Sequence, residues 1–487
     1  MVEVTGTKEV ALILFPVKQR DGKIIYYCSD FSEDLGSGNA GDVYKGYRCD
    51  LKGPNGFLQP CEINKSAIVI AENAPSVAIK VYKNGQIPSL YRLTRGTALF
   101  TIDDRAVLIM PLIDGFDIKP DIEENPQIKN MTFFQAVDVV WQLVIGLNQL
   151  HYRNSSGPPV VHGDINGANV KIRMVNEKFE VFYLDDDYYK PILPIPQIPQ
   201  GTLEHLALEV LDGYYSEASD FYALTPLLYS LFGARNPFTK IFKFRDDHPL
   251  MDKEDLVRHF TAIGFCSEGL FQHFKIKPND AICDLLEQFL KRMSAREKEQ
   301  RASSGAILEF FTALRQWCLH ENPKEAEYYH LRLAIAANDT SWLTNHEQRN
   351  LFFSLEDNIQ ERLIHLMNFQ VRMQLFHQIT QLSLSLKSVS YQQLLKTLLL
   401  DIARQRQANP PSCFSSIFKS KVTGKELTWL LYCFEHDSAE FFSPHAAKFR
   451  KTLQACNDKE IGSLIFGVIE TMQKNALESQ KVTSALS

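Results

Sequence analysis

The chain has 487 residues, 45% hydrophobic and 23% charged, with a formal charge of -6 at neutral pH. Single cores stop growing at roughly 250 to 300 residues, so at least two domains are expected, and the ordinary composition excludes a disordered or fibrous chain. The mixed, slightly acidic charge builds no basic face for a phosphate backbone, so nucleic acid is not an expected partner.

The nine cysteines are odd in number, scattered and without a C-x-x-C pair, which fits free thiols in a reducing cytoplasm. The first residues lack the basic start, apolar stretch and cleavage site of a Sec signal, and nowhere do roughly 18 apolar residues run together. A cytoplasmic protein with no membrane span is expected.

Residues 9 to 28 cluster β-branched and aromatic residues around Arg20-Asp21-Gly22, a hairpin pattern. Gly36-Ser37-Gly38-Asn39-Ala40-Gly41-Asp42-Val43 follows, spaced G-x-G-x-x-G-x-V. After a strand this lets backbone amides approach phosphate oxygens with no Cβ in the way, although a glycine-rich hairpin turn would read the same in isolation. Ser76-Val77-Ala78-Ile79-Lys80 then puts a lysine at the end of an apolar strand, where it either meets an anion or reaches out to water.

Helical periodicity begins at Thr132, which with Gln135 forms a capping box ahead of Val139, Val140, Leu143, Ile145, Leu147 and Leu150. The next stretch, Val160-Val161-His162-Gly163-Asp164-Ile165-Asn166-Gly167-Ala168-Asn169, offers a carboxylate to take a hydroxyl proton and, five residues on, a carboxamide oxygen for a metal. A strand from Phe179 to Leu184 ends in Asp185-Asp186-Asp187, whose mutual repulsion a divalent cation would relieve. Asp185, directly after the apolar run, is the metal ligand expected, while Asp186 and Asp187 also fit a solvated turn.

Beyond about residue 320 the pattern is helical, with start signals at Ser354 with Asp357, Ser390 with Gln393, Thr423 with Glu426, Ser443 before Pro444, and Asn457 with Glu460. Ala408-Asn409-Pro410-Pro411-Ser412 is the clearest breaker, and the polar end from Asn475 to Ser487 reads as a frayed terminus.

Taken in this order, the glycine loop, V-A-I-K, H-G-D-I-N-G-A-N and the acidic turn resemble the eukaryotic-like protein kinase family from about residue 25 to about 318. Gly201 to Glu209 is similar to the segment ending in A-P-E, and Ser219-Asp220-Phe221 to the S-D-V start of a helix. The resemblance implies an α+β, bilobal fold: a β-rich N-lobe over 1–112, an α-rich C-lobe over 113–318, and an added all-α domain over 319–487. It implies a kinase, serine/threonine by base rate, that passes the γ-phosphoryl group of ATP to a protein substrate with Mg2+ or Mn2+.

By the same resemblance Asp164 is the base, Lys80 holds phosphates, and Asn169 and Asp185 hold metal. Gly36, Ser37, Gly38, Gly41, Val43, Ala78, Met110, Leu112 and Asp117 would surround the nucleotide, with Lys171 beneath its base. Glu209 should pair with Arg301, and Asp220 should hold the catalytic loop from below.

Two departures stand out. No glutamate lies between Lys80 and Asp117, so Gln86, Asp185 or an activating partner working through the helical domain must complete the site. Gly163 replaces the arginine that grips an activation-loop phosphate, so activity independent of phosphorylation at Tyr188, Tyr189 or Thr202 is expected. The diverged motifs also resemble kinases that intracellular bacteria such as Legionella inject into host cells, which implies delivery to a host cytosol. A pseudokinase scaffold and a non-protein acceptor are the rival readings.

Overall fold

The computed structural model describes residues 2–6, 9–19, 21–38, 40–51, 68–70, 74–83, 85–87, 98–152, 158–185, 189–320, 322–382, 388–408, 422–436, 438–454, 456 and 459–486. Several expected features lie outside them: the basic segment after Lys80 from residue 88 to 97, Asp186 to Tyr188, the prolines at 410 and 411, and Asn457. The chain divides into two compact units, Met1–Pro278 with Leu290–Ser304, and Asn279–Phe289 with Gly305–Ser487.

The first unit opens with a nine-stranded antiparallel sheet. Its main path runs β1 (Val2–Gly6), β2 (Glu9–Lys18), β3 (Ile24–Ser29), β5 (Gly41–Leu51), β7 (Ser76–Tyr82), β9 (Arg105–Pro111) and β8 (Ala98–Ile102), and β4 (Asp34–Ser37) and β6 (Ile68–Val69) both pair with β5. The expected hairpin is β2 and β3, closed by Gly22 at φ +86°, a conformation that favours glycine.

Strand alternation then sorts β7 into two faces. Val77, Ile79 and Val81 join Phe15, Val107 and Ile109 in one apolar core, while Ala78 and Lys80 face the other way.

Below the sheet the chain becomes helical. Thr132 Oγ1 accepts from the Gln135 amide at 3.2 Å and Gln135 Oε1 accepts from the Thr132 amide at 2.9 Å, so the capping box forms and the helix Phe133–His151 follows. Its Val139, Val140, Leu143 and Leu147 are fully buried. Two short hairpin strands, β11 (Val170–Val175) and β12 (Lys178–Tyr183), come after the catalytic-loop sequence, and β10 (Val160–Val161) pairs with β13 (Lys190–Pro191).

The helix Glu217–Leu231 is buried all round from Ser219 to Leu231, so it forms the spine of this half. Arg301 and Glu209 make a two-pronged ion pair at 2.6 and 3.0 Å, with Arg301 buried, as the resemblance implied.

The second unit is helical around a core that includes Trp342, Phe352, Phe376, Leu398 and Leu464. Asn322 caps the helix Pro323–Ala337, and Asn338 ends it in the left-handed region at φ +56°. Of the expected start signals, Thr423 with Glu426 forms a full capping box. Two others are corrected. Ser354 ends the helix His346–Ser354, while Glu356 stands at the N-cap position of the next one without a side-chain cap bond, and Ser390 lies inside Ser388–Ala408 with its hydroxyl donating to the Asp357 carbonyl. The polar end expected to fray from Asn475 instead continues the helix Lys459–Leu486.

Candidate active site

The register of β5, β7 and β9 decides which side chains share the open face of the sheet. Val43 lies opposite Lys80 and Met110 opposite Ala78, so Val43, Ala78, Lys80 and Met110 present themselves together. The glycine-rich turn joins β4 to β5, with Gly36 opposite Val43 and Ser37 opposite Asp42. Ser37 Oγ donates to Asp42 at 2.5 Å and the Gly38 amide donates to the Gly41 carbonyl at 2.9 Å. A Cβ on Gly41 would collide with the Val81 carbonyl oxygen, so the turn can sit this close to β7 only because that residue is glycine.

Lys80 is 3% exposed, and its Nζ donates to Asp185 Oδ1 at 2.7 Å. Of the two side chains named for Lys80 in the sequence, Asp185 makes this contact and Gln86 is exposed. Asp185 holds the unusual φ of +53° for a non-glycine residue, and in that conformation its carboxylate reaches the strand above.

The catalytic-loop sequence is suspended from Asp220. That carboxylate, 2% exposed, accepts from the His162 amide at 2.7 Å, the Gly163 amide at 3.1 Å and His151 Nε2 at 2.9 Å. Gly163 takes φ +79° at this bend. His162, fully buried, donates from Nε2 to the Leu184 carbonyl at 2.8 Å and so ties the loop to the residue before Asp185.

Asp164 sits at the centre of the next layer. Its Oδ1 accepts from the Thr202 amide at 2.9 Å, the Thr202 hydroxyl at 2.8 Å and Asn166 Nδ2 at 3.2 Å. Asn169 Nδ2 donates to the Asp164 carbonyl at 2.8 Å and to its Oδ2 at 3.2 Å. Both of those partners only accept, so the Asn169 nitrogen must face them and its carbonyl oxygen is left as a donor for a cation. Together with the Asp185 carboxylate this is an all-oxygen pair suited to Mg2+ or Mn2+.

Asp117, expected beside the nucleotide, pairs with Lys171 at 2.6 Å. The charged end of Lys171 is therefore held at the edge by Asp117. Leu112 and Met110 are half-buried where the chain leaves β9. Tyr189, one of the hydroxyls whose phosphorylation is expected to be dispensable, is 6% exposed.

Three residues of this arrangement were missed as site residues: Thr202, His151 and His162. Thr202 carried a signal, a Gly-Thr pair closing the proline-rich segment. His151, at the end of an apolar helix, carried none.

Residues 30–311, more than half of the chain, match the family model described as "Protein kinase domain". Among curated proteins the chain is similar to "Probable serine/threonine-protein kinase zyg-1" of Caenorhabditis elegans, 28% identical over 141 residues. That similarity covers 28% of this chain and 19% of the relative, about a fifth of its length. Glycine turn, buried lysine, suspended loop and matching domain agree, and the chain belongs to the protein kinase domain family.

Proposed function

We propose that this chain transfers the γ-phosphoryl group of ATP to serine or threonine hydroxyls of a protein. The observation that carries the reading is the Asp164 carboxylate, fixed from three sides by Thr202, Asn166 and Asn169 one layer above the Asp220 anchor. A carboxylate so oriented can take the hydroxyl proton as the oxygen attacks, and such catalysis rests mainly on positioning.

Asn169 and Asp185 would hold Mg2+ or Mn2+, which when bound neutralises charge on the phosphates. Lys80 and the turn from Gly36 to Gly41 would hold the phosphates, and Val43, Ala78, Met110 and Leu112 would enclose the base. Similarity to a probable serine/threonine-protein kinase of C. elegans supports the serine/threonine acceptor. We assign the N-lobe to 1–112, the C-lobe to 113–318 and a helical domain to 319–487, the last recruiting a protein substrate or activator. Among the described residues no helix is long and apolar enough to cross a membrane. The cytoplasm, a host cytosol included, is the compartment proposed.

The test is transfer of labelled γ-phosphate to a generic protein substrate by the wild type, Asp164→Ala and Asp185→Ala. Label from the wild type alone supports the reading. No label from any of the three, in the presence of either metal and of candidate cell extracts, favours a scaffold.

A further inference from the structure

A cavity of about 400 Å3 opens beside the catalytic loop. Pro226 and Leu227 of the buried helix Glu217–Leu231 contribute to it, as do Phe238 and Phe242, whose rings stack at 5.4 Å. Ile118 and Pro120 line it from another element. That element lies tight on the loop because residue 167 is glycine: the Ile118 amide donates to the Gly167 carbonyl at 3.2 Å, and a Cβ on Gly167 would strike the Ile118 carbonyl. Thr202, which lines the same cavity, donates to Asp164, so the cavity lies one residue from the proposed base.

The charges around it are already spent on one another. Glu204 pairs with Arg245, and Asp117 with Lys171 at 2.6 Å. His205 packs its ring 4.9 Å from Phe238, and burial lowers its pKa, which keeps the imidazole neutral. Lys119, which also lines the cavity, lies 3.9 Å from the same Asp117 carboxylate with its side chain 52% exposed. An arginine of a substrate entering here would have to displace Arg245 or Lys171 from its carboxylate, whereas an apolar side chain would leave both pairs intact and cover apolar walls.

We infer that this cavity selects the protein substrate by seating one large apolar side chain that flanks the acceptor serine or threonine. The inference rests on the kinase reading above and deepens it. Such pockets distinguish side chains by transition-state binding, and loss of several methylenes is expected to cost about tenfold or more in kcat/KM.

The experiment uses the full chain and synthetic peptides with one serine, scanning Leu, Phe, Ala, Arg and Asp through each flanking position. The wild type should prefer Leu or Phe over Ala and Arg at one position by about tenfold or more. In Phe242→Ala that preference should shrink several-fold. A ratio taken within one preparation does not depend on how much of the variant folds. A preference for Arg, no apolar preference at any position, or an unchanged ratio in Phe242→Ala overturns the inference alone. Transfer to none of the peptides overturns it together with the kinase reading.

Discussion

The hydroxyl of Thr202 offers a perturbation whose size can be worked out from the structure. It donates to Asp164 Oδ1 at 2.8 Å and accepts from Asn166 Nδ2 at 3.0 Å, while the Thr202 amide makes its own bond to the same carboxylate oxygen. Thr202→Val keeps the shape and the amide bond but removes the hydroxyl. A hydrogen bond to a charged group contributes about 1.5–3 kcal/mol. If that bond orients the base, kcat/KM for the protein substrate should fall on the order of ten- to a hundredfold, with KM for ATP little changed. Thr202→Ser should stay within a few-fold of wild type.

Serine can also be phosphorylated, so phosphatase treatment separates the two explanations. A phosphate on Thr202 would set a dianion against Asp164, so active enzyme should carry none there and phosphatase should leave the rate unchanged. Steady-state kinetics of labelled-phosphate transfer, with mass spectrometry of the loop, checks both points. Wild-type activity in Thr202→Val, or inactivation by phosphatase, would refute the reasoning.

Other outcomes follow from buried partners. Asp220→Ala strands the amides of His162 and Gly163, and at about 1–3 kcal/mol for each unsatisfied group should lower the urea midpoint clearly and abolish transfer. Arg301→Ala leaves the Glu209 carboxylate without its partner and should destabilise by about 3–5 kcal/mol, whereas Arg301→Met with Glu209→Leu should lose less than that, read from denaturant melts. His205 titrates below its ordinary 6.5 because it is buried, so the unfolded chain takes a proton that the folded one resists. Its contribution is therefore fully present above pH 6.5 and is lost as the pH falls below that value. His205→Gln, which can still donate to the Ala223 carbonyl, should flatten that part of a Tm-against-pH curve, and an unchanged slope would count against the assignment.

What could be read from the sequence was contiguous. The glycine turn, the lysine at a strand end and the Asp164-to-Asn169 spacing each occupy one short segment, and local geometry alone gives them meaning. Thr202 and His151 act across 38 and 69 residues respectively, on Asp164 and Asp220, and nothing local to them announces those partners. The same limit explains the helix starts. Thr423 bonds to Glu426 within its own turn, whereas Ser390 spends its hydroxyl on the Asp357 carbonyl, 33 residues away. Lys171 could be placed beneath a base by resemblance, but its ion pair with Asp117 is a matter of side-chain reach across two segments.

The missing glutamate after Lys80 was the strongest argument for a scaffold, and the site's own electrostatics weaken it. A buried ammonium requires an anion, and leaving one unpaired at 3% exposure would be costly. Asp185 meets that requirement directly at 2.7 Å, from a backbone conformation that few aspartates adopt. Lysine and aspartate are thereby held near where the proposed chemistry needs them, one for phosphate oxygens and one for metal. On the proposed reading, phosphate would take the place of the carboxylate at Lys80, and a metal would take the place of the ammonium at Asp185. On this argument Lys80→Met should abolish transfer while costing little stability, because Asp185, with a side chain 23% exposed, can return to water. A Lys80→Met protein that unfolds, or that still transfers phosphate, would show that the pair has a different purpose.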